Sequence, residues 1–101
     1  MRMLMEIRLE DTEKANRAIC DGSLKRALDS LAVRIKPEAS YFLTSRGKRC
    51  ALYVFEMERS MAIPMIVEPL ITGLNADITF SPCMNELELS EGLQAWMEMR
   101  E

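Results

Sequence analysis

Apolar and polar residues alternate along RMLMEIRL, with Met3, Met5, Ile7 and Leu9 on one side and Leu4, Glu6 and Arg8 on the other. A period of two predicts a strand with one buried face. Asp11 or Thr12 suits the N-cap of a short helical segment, EKANRAIC. Gly22 interrupts that segment, and Ser23 can cap a new helix. Leu24, Ala27, Leu28, Leu31, Ala32 and Ile35 then recur at three- and four-residue intervals, the rhythm of an amphipathic helix. Pro37 ends it and should push Lys36 into extended geometry.

EASYFLTS and RCALYVFEM read as two strands joined through Arg46-Gly47-Lys48, where Gly47 can take a positive φ. A helix follows from about Ser60 to Leu74, with Pro64 near its start and Pro69 inside it, where a bend is expected. ADITFSPCM is a fourth strand, with Ile78 and Phe80 facing the core. NELELSEGLQAWMEMRE is a terminal helix with Leu89, Leu93, Trp96 and Met97 along one side and Gly92 as its weak point. This order, β-α-β-β-α-β plus a helix, predicts an α+β, ferredoxin-like domain spanning residues 1–101. The first and third strands are then central, the hairpin supplies one edge, and the crossover helices share one sheet face.

The third strand is apolar on both sides. Arg49, Ala51, Tyr53, Phe55 and Met57 form one row, and Cys50, Leu52 and Val54 most of the other. An antiparallel sheet with one wet face should alternate instead, so its second face is expected to be covered by a second copy. The helix MAIPMIVEPLITGLN has little polar surface beyond Glu68, Thr72 and Asn75, and also calls for burial on two sides. A homodimer through the open sheet face is the expectation.

Charge changes this picture little. The net charge of -3 and a hydrophobic content of 49% describe a globular chain without a nucleic-acid-binding charge balance. Residues 1–50 carry about +4 and residues 51–101 about -7. Cys20, Cys50 and Cys83 form no disulfide framework and suit a reducing compartment. Neither a signal peptide nor a span is read from the sequence, so a cytoplasmic protein without membrane contact is expected. SRGKRCALYVF opens like the stacking strand of an RNA-binding domain. However, Lys48 and Cys50 stand where aromatic residues would be needed, so Arg46-Gly47 is read as a hairpin tip.

DGSL, KPEASYF, the Gly-Lys-Arg hairpin and IPMIVEPL…NADITFSPCM resemble a family of short uncharacterised bacterial proteins in the dimeric α+β barrel superfamily. The resemblance runs over about residues 3–84. It implies a ferredoxin-like protomer, a shared dimer barrel and a pocket in each protomer. The superfamily includes cofactor-free monooxygenases, lactone isomerases and haem-handling enzymes, so fold alone selects no activity.

The chain has no histidine, which removes Ser-His-Asp and Cys-His catalysis, His-ligated zinc and a proximal His for haem. No cofactor or metal is called for. Nine methionines include M-x-M spacings that soft metal sites use, but core filling explains Met3 and Met5 better. Cys83, after Pro82, is the thiol nearest an opening, but it reads as a small buried hydrophobe, as do Cys20 and Cys50. Glu6 and Arg8 should face the covered side of the sheet. There they form an ion pair, with each other or across the interface, or serve as a buried base and an anion anchor. Tyr53 is then the hydrogen-bond donor, and Tyr41 and Glu68 are ligand-binding candidates. The first expectation is a non-catalytic homodimer, structural or binding a small organic ligand. The alternative is a cofactor-independent isomerase or monooxygenase acting on a small oxygenated substrate.

Overall fold

A computed structural model describes residues 1–100. Its strands are β1 (Arg2–Leu9), β2 (Ala39–Ser45), β3 (Lys48–Glu56) and β4 (Ala76–Pro82). Its helices are α1 (Glu13–Cys20), α2 (Ser23–Ile35), α3 (Ala62–Leu74) and α4 (Glu86–Met99). The sheet is antiparallel in the order β2-β3-β1-β4. With β1 and β3 central, this is the ferredoxin-like plan.

Register divides the sheet cleanly. Met5 pairs with Tyr53 and Phe80, and Ile7 with Ala51 and Ile78, so these residues share one face. Onto that face α1 brings Ala15 and Ala18, α2 brings Leu31, and α3 brings Ile66, Leu70 and Leu74, all buried in one core. Phe55 packs edge-on to Phe80 at 6.4 Å, and Phe42 edge-on to Tyr53 at 6.1 Å, a geometry that aromatic quadrupoles favour.

Local chemistry sets the ends of the elements. Thr12 caps α1, accepting the Ala15 N–H at 3.1 Å. Gly22, not Ser23, occupies the N-cap position of α2, with φ at 82°. The Asp21 carboxylate takes the Ser23 N–H at 2.8 Å, because glycine reaches the left-handed region without strain. Lys36 is also left-handed rather than extended, with φ 48° and ψ 64°. Its N–H bonds to the Ala32 carbonyl at 2.9 Å, so closure of the helix end prevails over the pre-proline preference. Arg46 and Gly47 both have positive φ, 54° and 77°, as a two-residue type I′ hairpin requires.

Pro69 lies within α3. It has no N–H for the carbonyl of Met65 one turn back, and Arg34 of α2 donates Nη1 to that carbonyl at 2.9 Å. The helix break is thereby converted into a cross-link between two helices.

Only α4 stands apart. None of its residues is buried, and it makes no extended packing contact with another element. The molecule measures 58 × 28 × 18 Å with a radius of gyration of 16.4 Å, against about 13 Å for a compact chain of this length.

Leu31 is fully buried, whereas Val33 two residues on is 74% exposed. Leu31→Ala should cost about 2–5 kcal/mol, and Val33→Ala no more than about 0.5 kcal/mol. Urea unfolding of the two variants checks the contrast.

Candidate functional site

The face of the sheet away from α1, α2 and α3 is a grid set by strand register. One row reads Tyr41, Leu52, Glu6, Thr79, and the next reads Leu43, Cys50, Arg8, Asp77. A third holds Ala39, Val54, Leu4 and Ser81. The β2–β3 half is thus apolar and the β1–β4 half largely polar. On the apolar half, Tyr41 is 66% exposed and Leu43 44%.

Glu6 sits near the middle, half-buried. Thr79 Oγ1 donates to its Oε2 at 3.3 Å, and the Cys50 thiol donates to its Oε1 at 3.5 Å. Arg8 shares the face with Glu6, but among the described residues the two form no ion pair. Tyr41 is on the same row two strands away, about 9.6 Å by strand spacing.

Tyr53 and Glu68 lie elsewhere. Tyr53 faces the helices beside Met5 and is 2% exposed, so it cannot donate to a substrate held at Glu6. The physical reason is the pleat: Tyr53 is one residue from Leu52 and therefore points the other way. Burial, followed by the field of Asp29, pushes its phenol above the ordinary range. Glu68 is exposed on α3, a helix packed against the opposite sheet face. Thr79 and Asp77 belong to the site that the sequence reading did not name, although alternation against Ile78 and Phe80 carries them to this face.

Of the cysteines, Cys20 departs from the buried position expected of it and Cys50 keeps to it. Cys20 is exposed at the end of α1, Cys83 is half-buried and Cys50 is buried. Burial, then the Glu6 carboxylate, pushes the Cys50 thiol up, which makes it a poor nucleophile.

Three cavities stand out. One of about 610 Å³ lies between the end of α2 and the start of α3, lined by Arg34, Phe55, Met57, Met65 and Ile66 among others. Another, about 260 Å³, is apolar and lies under Phe42 beside Leu24 and Leu28. The third, about 680 Å³, is at the hairpin tip and is lined by Glu10, Thr12, Arg46, Lys48 and Arg49. None of the three is lined by Glu6, Arg8 or Tyr41. At the hairpin tip, Lys48 pairs with Glu10 and holds its carboxyl low, while Arg49 donates to Asn16 at 2.9 Å. Two of the tip's basic side chains are therefore already engaged. Among the described residues no three Cys, Asp or Glu gather as a metal site, and no helix is long and apolar enough to cross a membrane.

Arg2, at the end of the grid, holds Glu38 at 2.8 Å and also binds Glu88 in the first turn of α4. Glu88 and Asn85 form a reciprocal capping box, with bonds of 2.8 and 3.0 Å.

No family model matches the chain, and no curated protein sequence does. Among solved structures, the chain is similar to the "De novo designed protein Ferredog-Diesel". The two are 13% identical, the alignment covers 81% of this chain and 85% of that one, and the TM-score is 0.47. That likeness concerns backbone arrangement and says nothing about activity.

Two predictions follow from the side-chain chemistry. The Asn85 N–H, then Arg2, lowers the Glu88 carboxyl in the folded state. Its contribution is therefore complete above the ordinary glutamate range and is lost as pH falls below it. Amide exchange in the first two turns of α4 should quicken over that window, and in Glu88→Ala already at neutral pH. A limiting thiol reagent followed by peptide mass mapping should label Cys20 first and Cys50 last.

Proposed function

We propose that the protein is a homodimer of ferredoxin-like protomers that associate through the open sheet face in the manner of a dimeric α+β barrel. Its role on this reading is structural or small-ligand binding rather than catalytic. The observation that carries it is the exposed apolar block of Tyr41 and Leu43, continuous with Leu52, Val54 and Leu4. A contiguous patch of this kind on a sheet marks a surface that binds something. Pairing would also enclose the polar half, where Glu6, Arg8, Thr79 and Asp77 could orient a small organic ligand.

The resemblance to short bacterial proteins of that superfamily supports the same assembly, and three free cysteines suit a reducing, cytoplasmic setting. Catalysis by an isomerase- or monooxygenase-type mechanism would rest on Glu6 as base and Arg8 as anchor. The Glu6 carboxylate already accepts from Thr79 and Cys50, and Tyr53 is on the wrong face, so the binding reading has the better support.

Native mass spectrometry at low micromolar concentration tests the proposal. The expected result is a dimer that Leu43→Arg converts to monomer, at little cost to the protomer because the side chain is exposed. A wild-type monomer under the same conditions would overturn it.

A further inference from the structure

α4 cannot be explained by its own protomer. Leu89, Leu93, Trp96 and Met97 form a stripe on one side of it, and each is between 44% and 54% exposed. Glu91 and Glu98 lie on the other side, together with Leu87. Helices of this length are marginal in water and take most of their stability from packing an apolar face, and α4 packs none.

The same chain leaves a second apolar surface uncovered, the β2–β3 half of the sheet. The two surfaces match in size. Leu89 to Met97 rises about 12 Å along a helix, and Ala39 to Leu43 runs about 13 Å along a strand. They do not meet within one copy, where α4 makes no extended packing contact. Only Cys83, Met84 and Asn85 separate β4 from α4, and the capping box with the Arg2–Glu88 pair joins the first turn of the helix to the end of β1.

Resting on the dimer of that reading, we infer that α4 is an exchanged arm that takes the place of direct sheet-on-sheet packing over the apolar block: its Leu89–Leu93–Trp96–Met97 stripe lies across the β2–β3 half of the open sheet face of a second copy. Each copy has one arm and one receiving face, so a two-fold exchange satisfies both surfaces twice and closes without leaving a free end. The acidic side of α4 then forms the solvated outer layer. The polar β1–β4 half, with Glu6, Arg8 and Thr79, then lies beside the docked arm rather than under it.

Trp96 is the only tryptophan in the chain, so intrinsic fluorescence reports on the arm alone. Tyr41→Lys spoils the receiving face and keeps the arm, whereas Trp96→Lys spoils the arm, keeps the face and is dark. Each alone should weaken the dimer by about tenfold or more, and Trp96 in the Tyr41→Lys chain should emit to the red and be freely quenched by acrylamide. Mixing the two chains should shift that emission to the blue and protect it, because the intact arm of one meets the intact face of the other. No protection on mixing would overturn the exchange. If Tyr41→Lys dissociates the wild-type dimer while Trp96→Lys does not, and Trp96 is freely quenched, the face-to-face dimer stands and the arm falls. A wild-type monomer overturns both, whether its Trp96 is exposed or protected by docking on its own fold.

Discussion

The position of β1 between β3 and β4 is the constraint on which the rest depends. Its pairing places Met5 opposite Tyr53 on one side and Phe80 on the other, and these carry much of the core under the helices. A slip of one residue would turn Glu6 and Arg8 into that core and expose Met5 and Ile7, because side chains alternate strictly along a strand. Among the described residues that core holds no buried charged side chain, and burying a charge without a partner costs several kcal/mol or more. The same register that builds the core therefore also builds the polar half of the open face. Candidate site and fold are two sides of one alignment.

The helix layer answers to a different constraint, the backbone hydrogen bonds of α3. Pro69 leaves the carbonyl of Met65 without its usual donor, and Arg34 supplies one from α2. Lys14 of α1 similarly donates to the Thr72 carbonyl at 3.0 Å. Long basic side chains from both neighbouring helices thus reach α3, which has no basic residue of its own in its last turn. This assigns work to part of the positive charge of the first half of the chain. It serves backbone acceptors as well as carboxylates, and a charge count alone does not show that.

Periodicity made most of the fold legible. The alternation of Met3, Met5, Ile7 and Leu9 and the helical spacing of Leu24 to Ile35 each have a period that only one element satisfies. The site was legible only in part. Glu6 and Arg8 share a face because they are two residues apart on one strand. The placement of Tyr53 needed the register of β3 against β1, a long-range pairing that no local pattern encodes. The Arg2–Glu88 pair spans 86 positions and was equally out of reach. Lys36 shows two local rules in conflict, helix closure against the pre-proline preference, and sequence alone gave no measure of which was stronger.

Two elements expose large apolar side chains, and they do not pose the same problem. α3 shows Met61, Met65 and Ile71 to solvent but buries Ile66, Leu70 and Leu74, so it is anchored, and its exposed residues need no explanation beyond the ordinary apolar content of protein surfaces. α4 buries nothing. Its capping box and acidic first turn favour a helix at its N-terminal end, while Gly92 and the absence of packing weaken it further along. Sequence has thus been spent on starting this helix and on aligning Leu89, Leu93, Trp96 and Met97 along one side, without a surface in the same copy that receives them. A helix shaped in that way makes physical sense where the receiving surface belongs to another molecule, and the uncovered half of the sheet supplies a surface of the right length and polarity.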